Sequence, residues 1–335
     1  MTQAPTRIAL LGDSNVLAIT SFWSDFVRDH EVSGVALATK YFRDVREESR
    51  DFTFVRHDGR TELHPWVRDD LAEVGIELAA SANRDGPWLV LQLGAILCYE
   101  RLILNFGDTD FTIDHPFSGN NHLVARLVPR EIVERRVSEE LEPTFRGLEL
   151  LAGAFPGKLA VFPAPPPDRD NARLEATIAQ VTGARLPAPP PSVRLKVQWL
   201  YHQLLREGCA RRGLLFHDTW QATASSDGFI DPRFAFDGFH ANARYGGNVL
   251  MAFCDRYLGA GSRFPYSGPW NELGETAELE LARAIFGATP RPAPLLAPDR
   301  ADDAYRQIDE LKALVRLKDE IIQRLAGERE LPPQA

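Results

Sequence analysis

Five short apolar runs punctuate the chain: "RIALL" at 7–11, "VSGVALA" at 32–38, "WLVLQL" at 88–93, "KLAVF" at 158–162 and "GLLFHD" at 213–218. Their hydrophobicity is continuous rather than alternating, which suits parallel strands covered on both faces. Between them, segments 15–29, 65–83, 126–154, 192–212 and 241–258 carry apolar residues at helical spacing. Strand and helix alternate, and that order predicts a doubly wound α/β/α sandwich of three layers over residues 1–260, built on a central, mainly parallel five-stranded sheet. Ligands of such sheets gather beyond the carboxyl ends of the strands. The first run ends there, on Gly12, Asp13 and Ser14.

Three stretches interrupt the alternation. "FPAPPPD" at 162–168 and "LPAPPPS" at 186–192 are stiff, extended proline runs, readable as scaffolded loops near the strand ends or, the favoured reading, as spacers. "FGDTDFTIDHPFSGNNHLV" at 106–124 is long, polar and aromatic. Loops of that length in a compact domain are usually lids or binding loops, so this one is the expected place of substrate contact through His115 and His122. Beyond 260 the character changes: residues 261–298 form a helical extension with a Pro-rich linker, and 299–335 a charged helical tail. In the tail Ile308, Leu311, Val315, Ile322 and Leu325 keep an a/d spacing broken by Lys318. Residues 304–326 therefore offer either a short coiled coil, for self-association or a partner protein, or an amphipathic helix folded back on the domain.

Composition narrows the class. Hydrophobic residues at 44% and charged residues at 25% are ordinary for a globular protein. A formal charge of −9 disfavours nucleic acid and anionic membranes as partners, since phosphate binding needs a basic face. Cys98, Cys209 and Cys254 are too few and scattered for a disulfide framework. The start "MTQAPTRIALLGDS" has no basic region followed by a long apolar segment, and no run of 18 apolar residues occurs, so a cytoplasmic protein is expected. His57, His64, His115 and His122 lack the spacing of a metal site, and no Gly-rich nucleotide loop is present, so no cofactor is expected. Trp88 and Trp199 lie on segments that read as core.

A serine hydroxyl becomes an effective nucleophile when an imidazole takes its proton, and the imidazole works best when a carboxylate fixes its tautomer. In "FAFDGFHANARYGGNVL" Asp237 and His240 are three apart, close enough for the carboxylate to reach the ring. Ser14, His240 and Asp237 thus make a chemically complete set. "LLGDSN" at 10–15 and "DGFHANARYGGN" at 237–248 resemble the first and last blocks of the SGNH (GDSL-type) hydrolase superfamily, and "FHDTWQATASSDGFIDPRFAFDG" at 216–238 is similar to that family's approach to its histidine. The resemblance implies Ser14 as nucleophile, His240 as base and Asp237 as its orienting partner. Asp13 and Asn15, on either side of Ser14, are expected substrate contacts. It also implies an oxyanion cradle of the Ser14 N–H, a glycine N–H after the second strand and an Asn side chain after the third.

Here the chain departs from the family pattern. The third strand ends "LQLGAILCYE": Gly94 matches, but Ile96 stands at the Asn position and Leu97 at the following Asp. Gly34 lies inside a predicted strand rather than at its end. Losing one oxyanion donor costs about 10²- to 10³-fold in rate. Asn15, Asn105, Asn120 and Asn121 are substitute amides, with Asn120 and Asn121 ranked first because they sit in the long loop. The expected activity is that of a serine esterase or acyl hydrolase, deacetylase- or O-acyltransferase-like, acting on a small or carbohydrate ester. The alternative is a weakened member serving as a ligand-binding or interaction module. The coiled-coil reading of the tail predicts that truncation after residue 298 lowers the native particle mass by more than the deleted residues weigh. A drop equal to their weight, measured by light scattering, contradicts it.

Overall fold

A computed structural model of the chain describes residues 5–29, 34–42, 52–78, 86–94, 103, 109–117, 126–182 and 187–258. By compactness the chain divides into two units: Met1–Leu174 with Pro187–Pro290, and Glu175–Leu186 with Arg291–Ala335. In the second unit the described residues are 175–182, the C-terminal portion of one helix. The predicted linker and helical tail lie outside the described residues.

In the first unit the elements run β1 (Thr6–Gly12), α1 (Val16–Asp29), β2 (Val35–Tyr41), β3 (Thr53–Val55), β4 (Thr61–Leu63), α2 (Pro65–Glu73), β5 (Trp88–Leu93), β6 (Thr109–Asp110), β7 (Arg126–Leu127), α3 (Arg130–Ala154) and β8 (Leu159–Pro163). They continue with α4 (Asn171–Thr182, which passes into the second unit), α5 (Pro191–Arg211), β9 (Leu215–Phe216), α6 (Trp220–Thr223) and α7 (Ala243–Phe253), the last prolonged by a π-helical turn, Cys254–Leu258. The central sheet has the order β2-β1-β5-β8-β9 with every pair parallel. All five predicted strands are present and form this sheet, so the α/β/α architecture holds. β3–β4 is a separate antiparallel hairpin and β6–β7 a two-residue parallel pair.

The chain leaves β1 toward β2 on one side and returns to β5 on the other, so the strand order reverses between β1 and β5. A crevice opens beyond the carboxyl ends of two strands at such a switch point. Gly12 ends β1 opposite Gln92 of β5, which sets Ser14 and Gly94 on either side of it.

Strand side chains alternate between the two faces. Ile8, Leu10, Val90, Ala160 and Phe162 bury one face against Val16, Ile19 and Phe22 of α1 and Val249, Leu250 and Phe253 of α7. Ala9, Leu11, Leu89, Leu91 and Val161, the alternate positions, are equally buried on the opposite face, where α5 contacts β8 and β9 and α3 packs against α5. The contact between α1 and α7 is unusually intimate. A Cβ on Gly246 would collide with the backbone of Ala18, and one on Gly247 would press on the Phe22 ring at 2.7 Å. Only glycine admits this approach, and it draws the start of α7 to the start of α1.

His217, just after β9, secures α7 from below. Its Nε2 meets the Val249 carbonyl at 3.2 Å, and the ring packs against Phe162 and Phe253. Burial disfavours the imidazolium and brings its pKa down to about 4. The unfolded chain therefore takes up this proton first as pH falls, so the stability His217 contributes is full above its ordinary value near 6.5 and declines between there and about 4, by roughly 3 kcal/mol in all. Urea titrations at stepped pH should show that decline, and His217→Leu should flatten it. An unchanged slope in the variant contradicts the assignment.

Candidate functional site

Ser14 occupies the turn between β1 and α1. The turn is built by its neighbours: the Asp13 carboxylate accepts the Asn15 N–H at 3.1 Å, and the Asp13 carbonyl accepts the Val16 N–H at 3.0 Å. Both bonds satisfy donors at the head of a helix that would otherwise be orphaned. The Ser14 carbonyl accepts from Leu17 at 3.1 Å, which leaves the Ser14 N–H at the positive end of the 14-residue helix with no partner among the described residues.

His240 and Asp237 lie on the loop that leads into α7. Asp237 Oδ1 accepts the backbone N–H groups of Phe239 and His240, both at 2.7 Å, while Oδ2 meets His240 Nδ1 at 2.8 Å. A carboxylate can only accept here, so the Nδ1 proton points at Asp237 and Nε2 keeps its lone pair. Ser14 Oγ donates to that lone pair across 2.7 Å. Two residues 226 apart in sequence are therefore within general-base distance. Ser14, Asp237 and His240 are each nearly buried, which strengthens their mutual electrostatics by excluding water. Phe239 stands edge-on to the imidazole with ring centroids 6.4 Å apart and is half-buried, giving the reacting atoms an apolar flank.

The other expected site residues are placed as follows. Asp13 is buried and caps the turn that carries Ser14. Asn15 is fully buried, with its side-chain oxygen accepting the Ala241 N–H at 3.1 Å. Gly94 follows β5 with φ +113, and a Cβ there would sit 2.7 Å from the Tyr201 ring, so its backbone freedom and its missing side chain are both used. His115 is half-buried, with Nδ1 accepting the Phe117 N–H at 3.3 Å. Asn120, Asn121 and His122 lie outside the described residues, as do Ile96, Leu97 and Asn105. Among the described residues no group of three or more His, Cys, Asp or Glu side chains is placed to hold a metal ion.

The walls around the crevice depend on α5 in a way the pattern reading did not anticipate. Residues 193–202 are buried all round the helix, including Arg194, Lys196 and Gln198. Each of these three ties down a loop. Arg194 donates to the Asp168 carbonyl at 2.7 Å, to Asn171 at 2.6 Å and to the Pro189 carbonyl, so it joins both proline runs. Gln198 donates to the Pro165 carbonyl, and Gln92 reaches the Pro163 carbonyl at 2.7 Å. The first proline run is thus a buried, hydrogen-bonded loop rather than a spacer. Lys196 pairs with Asp110 at 2.7 Å and donates to the Phe111 carbonyl at 3.1 Å. The described part of the expected lid, 109–117, is therefore anchored in the core at its start, with Phe111 and Ile113 buried and Phe117 packed on Trp199 and Trp220. The sequence signal was "SVRLKVQWLY": Arg194 and Gln198, four apart, share one helix face while Lys196 lies on the opposite side, so a helix carrying polar residues on both sides between apolar neighbours needs internal partners.

No protein-family model matches the sequence, and no curated protein matches it either. Among solved structures the chain is similar to the periplasmic domain of a lipopolysaccharide acetyltransferase from Salmonella ser. Paratyphi A, at 10% identity and TM-score 0.41, over 76% of this chain and 84% of that one. It is also similar to a GDSL-like lipase from Bacteroides thetaiotaomicron, at 11% identity and TM-score 0.38, over 76% and 89% of the two chains. A mutant acetyl-xylooligosaccharide esterase from Geobacillus matches at 12% identity and TM-score 0.36, over 81% and 98%.

Lys196 and Asp110 are both fully buried, so removing one charge strands the other. Lys196→Met should destabilise the protein by about 3–5 kcal/mol in urea unfolding, and the double change with Asp110→Asn should recover part of that loss. A Lys196→Met loss below about 1 kcal/mol contradicts this reading of the loop anchor.

Proposed function

We propose that this chain is an SGNH-type serine hydrolase or acyltransferase working through an acyl-Ser14 intermediate. The observation that carries the reading is the unbroken line Asp237–His240–Ser14, with contacts of 2.8 and 2.7 Å, set beside a Ser14 N–H without a partner among the described residues. As Ser14 Oγ attacks an ester carbonyl carbon, its proton passes to His240 Nε2 and the carbonyl oxygen becomes an oxyanion facing the Ser14 N–H. The tetrahedral centre collapses by breaking the C–O bond to the alcohol, which leaves with the Nε2 proton. Water or a sugar hydroxyl then attacks the acyl carbon and gives its proton to Nε2, and Ser14 departs by taking it back. Asp237 keeps the ring in the working tautomer and stabilises the imidazolium formed twice in each cycle.

The Gly94 N–H, across the switch point from Ser14, is a second candidate oxyanion donor, and Asn120 and Asn121 remain candidates for the third. The substrate class favoured is a small or carbohydrate ester, entering against the Phe239 flank. A non-catalytic binding module would have no physical need for a nearly buried serine held at general-base distance from an oriented imidazole, and that favours the enzyme.

Hydrolysis of p-nitrophenyl acetate tests the proposal. Ser14→Ala and His240→Ala should each lower kcat by at least about 10³-fold, and Asp237→Asn by on the order of 10⁴-fold through loss of the tautomer. Wild-type turnover unaffected by these changes, or absent in the folded protein, contradicts it.

A further inference from the structure

Asn15 is the fully buried polar residue next to the nucleophile, and among the described residues its side chain makes one hydrogen bond, Oδ1 accepting the Ala241 N–H at 3.1 Å. The Ser14–His240 and Asn15–Ala241 bonds span the same sequence interval of 226 and run side by side. One joins the reacting side chains; the other joins the turn that carries Ser14 to the peptide that follows His240. Asn15 is itself held on the nucleophile turn, since its N–H donates to Asp13 Oδ1.

The other half of the amide has no such use. Among the described residues Asn15 Nδ2 is buried without a hydrogen-bond partner. A buried, unpaired N–H₂ is disfavoured because its lost hydration is not replaced by a hydrogen bond. A leucine of similar size would avoid that cost, so the asparagine is disfavoured by burial and is useful here for its oxygen.

We infer that Asn15 is a positioning residue that keeps His240 registered on the nucleophile turn through the whole acyl-transfer cycle, an inference that rests on the function proposed above. The Ser14–His240 hydrogen bond exists only while Ser14 Oγ carries a proton. Once Ser14 is acylated its oxygen is an ester oxygen and that bond is gone, yet His240 must stay in place to take a proton from the incoming water or alcohol. The Asn15–Ala241 bond involves no reacting atom and persists across both stages. A displacement of about 1 Å in a reacting group is enough to cost about 10²-fold in rate.

The test compares Asn15→Leu, Asn15→Ala and Asn15→Asp in the full chain, with p-nitrophenyl acetate as probe. Leucine and alanine remove the acceptor, while aspartate keeps an oxygen at the Oδ1 position. The expected result is a fall in kcat of about 10²-fold for Asn15→Leu and Asn15→Ala with KM changed less than about 3-fold, and kcat within about 10-fold of wild type for Asn15→Asp. Rescue by aspartate separates positioning from packing, because aspartate has the shape of asparagine and, unlike alanine and leucine, keeps the acceptor at Oδ1. The inference falls if Asn15→Leu matches wild type, if aspartate and leucine are equally impaired, or if neither Asn15→Leu nor Asn15→Ala folds by circular dichroism, which would make the residue architectural. A folded wild type that does not turn over the ester removes the acyl-transfer reading itself, an outcome distinct from these.

Discussion

The close seating of α7 on α1 is the constraint on which the site depends. Each helix begins within three residues of a side chain of the proposed triad: α1 at Val16 after Ser14, and α7 at Ala243 after His240. Where the two helices touch therefore decides where hydroxyl and imidazole stand. Gly246 lets the backbone of α7 rest on that of Ala18, and Gly247 makes room for Phe22, so the helix heads converge instead of being held apart by a side chain. The apolar surface buried between them, shared with Ile8, Leu10, Val90 and Phe162 of the sheet, supplies the driving force. The hydrogen bonds at the top add direction rather than bulk stability.

Polar groups finish what packing begins. The Asn242 side chain caps α7 by accepting the Tyr245 N–H at 3.2 Å, while its own amide donates to the Arg233 carbonyl at 2.8 Å, so the loop carrying Asp237 and His240 is closed on itself. The Phe236 N–H returns to the His240 carbonyl at 3.0 Å within that closed loop. On the other face, the three buried polar residues of α5 hold the proline loops and the 109–117 segment against the helix. The sheet supplies the rigid floor, and the loops above it are fixed by specific bonds that a hydrophobic pattern cannot encode.

Legibility in the sequence follows this division. The strands at 88–93 and 7–11 were readable because continuous apolar runs mean burial on two faces, and the structure sets them adjacent as β5 and β1. Helix α2 is shorter than its pattern, ending at Glu73 where the chain turns at Gly75 and the Ile76 N–H closes on the Leu71 carbonyl. The hairpin β3–β4 was missed because its strands are three residues long and polar at the surface, Glu62 of β4 pairing with Arg56 just after β3, although the Asp58-Gly59 turn was a signal for it. Helix α4 was hidden between the proline runs; the Asp170 side chain, accepting the Arg173 N–H, marks its start. The proximity of Ser14 to His240 was expected from motif chemistry and not from periodicity, since no local pattern relates residues so far apart. The inward role of Asn15 had no sequence signal, because an amide beside a nucleophile reads equally as a donor to substrate or as a tether.

The central claim is that His240 activates Ser14 for covalent attack. Incubation of the folded protein with a fluorophosphonate, followed by mass analysis of the peptide containing residues 7–17, tests it most directly. The account predicts one adduct, on Ser14, formed by the wild type and lost in His240→Ala. An unlabelled Ser14 in folded wild type, or a label that forms as fast without the imidazole, would contradict it.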